Sequence, residues 1–353
     1  MRAVLSFLVV LVLALSAGTA GAQRKATLQQ RQPPPQQLTA QTILKWINSY
    51  REKPEPNKLS EAVKAMSGIG VFKELEQAGV YQGFIAGVIA ANPEIAEKLI
   101  SEMYPLPPED QVVIIRAIAY SGLRGWKELL QKFVERMPTR KVLIEHHLYG
   151  KGPTFETLDL KASPANIDIM WGHYFGSGSF KGIDRIITVL PWSKDRNDVE
   201  KLTLGSMAKW TLAQNLQTDP RLLAYVKRQL DSVPKETAKE LREVITAAET
   251  YETAAIRKQA VAAVEELRRK GPENVRNASW WGQAGQTALA FGCVVASALG
   301  QAQVGIPCVI GGALSNSAPS PTAVAALPPT ATQAAAVPTP AGSRATTNAP
   351  SAV

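Results

Sequence analysis

Between Thr39 and Gly271 the chain is cut into short segments with apolar residues at helical spacing, each closed by Pro, Gly or a polar stop. That punctuation leaves room for helices of a few turns and for little else. Ile43, Leu44, Trp46, Ile47 and Tyr50 share the helical spacing of the first segment, Thr42 to Tyr50. The small apolar run Gly83 to Ala91 stops at Asn92-Pro93, and a new segment restarts at Pro93-Glu94. Proline has no amide hydrogen to lose in a first turn, and an acid there complements the helix dipole. The same reading predicts helices over 109–120, 126–137, 180–190, 198–216 and 220–230. Another starts at Ser163-Pro164, carries Ile167, Met170, Trp171 and Tyr174, and ends near Gly176–Gly178. Pro234 to Lys270 reads as one long amphipathic final helix, with Ser232 as its N-cap and Gly271-Pro272 as its stop. Only Leu148 to Ala162 resists, and it reads as a loop or a short extended piece. The predicted fold class is all-α.

Turns at Asn92-Pro93, Ser121-Gly122, Ser177-Gly178 and Thr218-Asp219-Pro220 join the segments in pairs at irregular intervals. The expectation is an irregular, α-solenoid-like array of helix pairs, closed by the long final helix and followed by an apolar C-terminal hairpin. The run from Asp168 through Trp171, His173 and Phe175 to Gly178, followed by Ile183 to Leu190, resembles the helix–turn–helix unit of exported bacterial α-helical repeat proteins of unknown function. The resemblance spans 41–270 and implies stacked helix pairs; it contains no catalytic motif and names no activity.

The N-terminus reads as an address. One basic residue, Arg2, precedes an almost wholly apolar run from Val4 to Leu15, and small residues lead to Ala20-Gly21-Ala22. A basic start, an apolar run of about a dozen residues and an Ala-x-Ala site predict a signal peptide over 1–22, with the mature chain starting near Gln23. The run is short beside the roughly 20 apolar residues of a spanning helix. No cysteine follows the site for lipid attachment. The expected location is the bacterial periplasm or the medium. Residues 23–38, rich in Gln and Pro, read as an extended linker.

Charge and composition exclude several classes. The net charge of +9 comes partly from four basic groups and no acids in residues 1–40, whereas 41–276 hold 34 Lys/Arg against 30 Asp/Glu. With both signs interspersed, the folded part reads as an ordinary solvated surface, so no nucleic-acid partner is expected. A hydrophobic content of 45% excludes global disorder. Two cysteines exclude a disulfide-rich scaffold and a cysteine-based zinc module.

Candidate chemistry is sparse. Glu145, His146 and His147 supply a carboxylate and two imidazoles, and His173 with Asp168 or Asp159 could complete a site. Metal sites on helices favour ligands at i and i+4; adjacent histidines point apart, and His173 lies five residues past Asp168. All three histidines are therefore expected at surfaces or helix ends, with no metal and no cofactor. Gly176-Ser177-Gly178-Ser179 has no strand before it and is not a phosphate loop. Hydrolase, penicillin-binding and zinc-protease motifs are missing from the chain. Trp46, Trp126, Trp171, Trp192 and Trp210 recur among helical neighbours and read as core.

From Asn277 to Ser343 there is no charged residue. Ala284, Ala288, Gly292, Ala296 and Gly300 recur every four residues, a ridge against which a second helix can approach closely. Cys293 and Cys308 flank a break at Gly305-Ile306-Pro307, and in an oxidising compartment they are expected to pair, stapling residues 277–315 into a hairpin. Three readings of that segment compete: an apolar cap on the helical domain, insertion into a membrane with Trp280 and Trp281 at the interface, or a partner or self-association surface. Residues 316–353 are Ala, Pro, Ser or Thr at 29 of 38 positions and are expected to be disordered.

Together these features predict an exported, non-enzymatic helical scaffold that binds a protein or peptide partner. The alternatives are a cell-envelope enzyme acting on cell-wall glycan or peptide through carboxylates in an inter-helix groove, and a protein that contacts the membrane through residues 280–314.

Overall fold

A computed structural model of the chain describes residues 39–271 apart from 74, 76 and 77. Among these residues there are thirteen α-helices and no strand, so the all-α fold is observed. The helices are α1 (Ala40–Ser49), α2 (Leu59–Gly68), α3 (Gly79–Ala91), α4 (Ala96–Met103), α5 (Gln111–Ala119), α6 (Trp126–Gln131) and α7 (Lys141–Leu148). They continue as α8 (Pro164–Ser177), α9 (Lys181–Thr188), α10 (Val199–Thr218), α11 (Pro220–Gln229), α12 (Lys235–Glu249) and α13 (Ala254–Lys270). None of them is long and apolar enough to cross a membrane.

Sequence chemistry sets many of the boundaries. Thr39 accepts a bond from the Thr42 amide at 3.2 Å while Thr42 accepts one from the Thr39 amide at 2.8 Å, a reciprocal cap that starts α1. Ser163 accepts the Ala165 amide ahead of Pro164, Asp198 accepts the Lys201 amide, and Asp219 accepts the Leu222 amide ahead of Pro220. At the end of α8, Gly178 takes a left-handed φ of 67° and donates to the Tyr174 carbonyl at 2.7 Å.

The core departs from an array of consecutive pairs. Its most extensive helix contact joins α3 to α8, with four helices between them in the chain. The cause is a set of glycines. Gly79, Gly83 and Gly87 of α3 lie against the backbone of Ala165, Ile169 and His173, and Gly172 and Gly176 of α8 lie against Val80, Phe84 and Val88. Any Cβ at these positions would meet backbone atoms at less than ordinary contact distance, so bare Cα positions on both helices permit the approach. Nearly every residue from Gly79 to Ile89 is buried, which explains why α3 is apolar on all sides. The helix α5 packs on α3, whereas α1 and α9 pack on α8.

The long final helix is corrected to two. A turn at 250–253, with Tyr251 at φ 57°, separates α12 from α13. Pro234, not Ser232, stands before α12, and no side chain caps that end. Both helices fold back on α10, which one unbroken helix over 234–270 could not do. The segment 149–163 is irregular as expected, and its alternating apolar residues Phe155, Leu158 and Leu160 are buried.

Residues 1–38 and 272–353 lie outside the described part. The signal peptide, the linker, the ridge Ala284, Ala288, Gly292, Ala296 and Gly300, the cysteines Cys293 and Cys308, and the tail fall there.

Candidate functional site

The C-terminal ends of α3, α5 and α8 meet the start of α9 around a cleft of about 220 Å³. The irregular segment contributes Phe155 and Glu156 to its wall. His173, only 3% exposed, sits at its base because Gly87 lets α3 close over the His173 backbone. One face of the imidazole is covered by Phe155, ring centre to ring centre 4.1 Å.

The hydrogen bonds fix what this imidazole can do. Nε2 lies 3.4 Å from the Ser121 carbonyl oxygen, which can only accept, so Nε2 carries the hydrogen. Nδ1, which carries no hydrogen in that tautomer, lies 3.2 Å from the Ser177 hydroxyl oxygen. The single hydrogen of that hydroxyl is donated to the His173 carbonyl at 2.6 Å, and its oxygen accepts the Ser179 amide at 3.1 Å. Burial pushes His173 down to about 4, with the Lys181 charge acting the same way and the Ser121 carbonyl and Glu156 acting against it. At neutral pH the cleft therefore holds a neutral imidazole and a serine hydroxyl that caps its own helix. Exposed Glu156 and Lys181 bring opposite charges to the mouth.

The other sequence candidates are not brought to this place. His146 is exposed in the last turn of α7, and Glu145 beside it pairs with Lys141 at 3.8 Å. His147 is 3% exposed, packed against Trp126 and Tyr120, and burial lowers it to about 4 as well. The expectation of surface histidines is thus corrected for His147 and His173. Both lie near helix ends, yet the irregular segment folds over them: a Cβ at Gly152 would lie 2.7 Å from His147 Nδ1. Asp159 accepts the Lys161 amide at 2.9 Å in the irregular segment. Asp168 is buried on α8 with its Cβ facing Gly79 of α3. Among the described residues no three His, Cys, Asp or Glu side chains are grouped to hold a metal ion.

Two charged clusters escaped the sequence reading. Lys209 of α10, 0% exposed, donates to Glu240 at 2.6 Å, to Glu243 at 2.7 Å and to Gln259 at 3.4 Å. Gln259 in turn donates to Glu243 at 3.0 Å, so one buried ammonium ties α10 to α12 and α13. Burial pushes Glu243 up, but the hydrogen bond and charge of Lys209 outweigh it and hold Glu243 below the usual carboxylate range. The second cluster is centred on Asp219. Arg51 reaches it at 2.7 Å and Tyr174 donates to it at 2.6 Å, with the guanidinium 5.2 Å from the Tyr174 ring centre. The tryptophans behave as read where they are deepest: Trp171 and Trp210 are fully buried, and Trp171 donates to Thr211 at 3.2 Å.

No protein-family model, no curated protein and no solved structure matches the chain.

Proposed function

We propose that the chain is an exported helical scaffold that binds a protein or peptide partner in the cell envelope. The observation that carries this reading is how the buried charges are used. Asp219, between α10 and α11, is bonded to Arg51 in the turn after α1, and Glu240 of α12 is bonded to Lys209 of α10, so these carboxylates act as cross-links between distant segments. With the glycine-packed α3–α8 pair, they make a framework that holds its surface in one shape, as partner recognition requires. The signal-peptide pattern at 1–22 supports a mature protein in the periplasm or medium, where a Cys293–Cys308 bridge would staple the charge-free segment. The test is affinity capture of the mature protein from native envelopes with identification of what co-purifies. A partner that also binds the purified protein supports the reading; purified protein found mainly as uncleaved chain in the cytoplasm overturns its premise.

A second reading rests on the cleft at His173, where an imidazole, the Ser177 hydroxyl and Glu156 converge. In that case the protein is an envelope enzyme acting on cell-wall glycan or peptide. Release of new chain ends from purified cell wall by the native protein, lost in Glu156→Gln, would favour it over the scaffold.

A further inference from the structure

We propose that the exposed face of α7 is a docking surface for an anionic lipid bilayer. The inference stands apart from the scaffold reading, because it concerns what the framework rests on rather than what it captures.

Four large hydrophobic side chains are exposed among the described residues, and two of them belong to this face: Val142 at 81% and Tyr149 at 77%. Val142 lies in the first turn of α7 and Tyr149 directly follows its last residue, seven positions and about two turns on, with its hydroxyl 3.4 Å from Gln131 Oε1. The opposite side carries Ile144, His147 and Leu148 into the core. An exposed helical position gains nothing from valine, which is a poorer helix former than lysine or glutamate. Neither folding nor local propensity therefore accounts for Val142.

The sequence stretch that contains this face is basic, although Lys132 pairs with Glu97, Arg140 bonds the Pro108 carbonyl and Arg136 lies over Tyr104 and Phe133. That leaves Lys127, Lys141 and Lys151 as the cations at α7 and its ends. From Arg116 to Lys151 there are eight Lys/Arg and three Asp/Glu, whereas the rest of 41–271 has 25 and 26. The net positive charge of the helical domain thus resides in this one stretch, a finer division than the averaged charge reveals. Lys127 bonds to the Leu148 carbonyl at 2.8 Å, which holds its ammonium at the C-terminal end of α7. Lys141 stands in the first turn, exposed, and Lys151 follows Tyr149 by two residues. The acid on the face, Glu145, is partnered by Lys141.

Exposure decides the occupant. Side chains that are about four-fifths bare have no walls beside them, so there is no groove for a peptide to fill. Two residues also offer far less area than the roughly 800 Å² per partner of a stable protein interface. A bilayer needs no matching cleft: anionic headgroups respond to clustered basic side chains, and a tyrosine is suited to the headgroup level.

The experiment is flotation of the full chain with vesicles of phosphatidylcholine containing phosphatidylglycerol, and with phosphatidylcholine alone, at low and high salt. The native chain should bind the anionic vesicles, and added salt should weaken that binding. Lys141→Gln and Lys151→Gln should each reduce it about fivefold. Val142→Ser combined with Tyr149→Ser should reduce it further with an unchanged melting temperature, because neither side chain contributes to the core. Anionic-vesicle binding that all these variants retain would overturn the proposal and move the contact elsewhere, for instance to residues 277–315. No vesicle binding, with tight binding to polyglutamate or DNA instead, would also overturn it in favour of a soluble polyanion. A protein partner captured equally by native and variant chains would leave the scaffold reading intact while the bilayer contact failed.

Discussion

Gly87 of α3 lies against the backbone of His173 in α8: a Cβ at position 87 would stand 2.5 Å from the His173 carbonyl oxygen, the same oxygen that accepts the Ser177 hydroxyl. The glycine-mediated packing of α3 on α8 and the base of the cleft are therefore one structure. Replacing Gly87 with alanine forces the helices apart or displaces His173. Overpacking of a tight core costs about 1–3 kcal/mol. Denaturant melts should show Gly87→Ala destabilised by that amount, with the Phe155 contact over His173 loosened. Gly68, at the end of α2, is the control, because a Cβ there would meet nothing within 4 Å. Gly68→Ala should be neutral or stabilising by up to about 1 kcal/mol. Equal costs at the two glycines would refute the close-approach argument.

Lys209 should be the most sensitive charged residue of the helical domain. Its removal leaves Glu240, 4% exposed, facing its site without the main cation. Breaking a buried pair by deleting one partner costs about 3–5 kcal/mol. Lys209→Ala should lose that much, or fail to fold. Glu243→Gln should lose much less, because Glu243 is 36% exposed and Gln can still accept a bond from Lys209. A Lys209→Ala protein as stable as the native one would show that the cluster is dispensable.

Acid should destabilise the fold between about pH 6.5 and pH 4. His173 titrates near 4 when folded and near 6.5 when unfolded, so in that window the unfolded chain binds more protons and stability falls as pH falls. The full shift corresponds to about 3 kcal/mol once the pH is below both values. His147 acts in the same direction. Chemical denaturation at neutral pH and at pH 4.5 should show the loss, and His173→Gln should reduce it, leaving the share of His147. A pH-independent midpoint across this range would mean that the imidazole stays hydrated.

How much was legible follows from which forces leave a local trace. Helix periodicity and the Pro/Gly stops are local, so the class and most boundaries of α1, α8, α10 and α11 could be read directly. The break at Tyr251 could not, because 234–270 keeps its apolar spacing through the turn and only the packing of α12 and α13 on α10 bends it. The α3–α8 pairing did leave a signal, the four-residue spacing of Gly79, Gly83 and Gly87 and of Gly172 and Gly176, but which helix would meet which is not encoded locally. Lys209 is a charge among apolar neighbours, which marks an unusual position without naming its partners. His173 needed the fold outright, since burial by Phe155 and Gly87 comes from segments far away in the chain.

The pairing of Cys293 with Cys308 is tested by chemistry alone. Both thiols belong to the charge-free stretch from Asn277 to Ser343, they flank Gly305-Ile306-Pro307, and no other cysteine exists in the chain to compete. Export would place them where disulfides form and persist. A closed loop of about 15 residues stabilises by roughly 3 kcal/mol in the chain-entropy account, provided the two Cα atoms come within about 7 Å. Thiol titration of exported protein, unfolded without reductant, should find no free thiol, and two should appear after reduction. Two thiols before reduction would refute the staple. A dimer on a non-reducing gel that collapses to monomer with reductant would refute it too, and would assign the same cysteines to a link between chains.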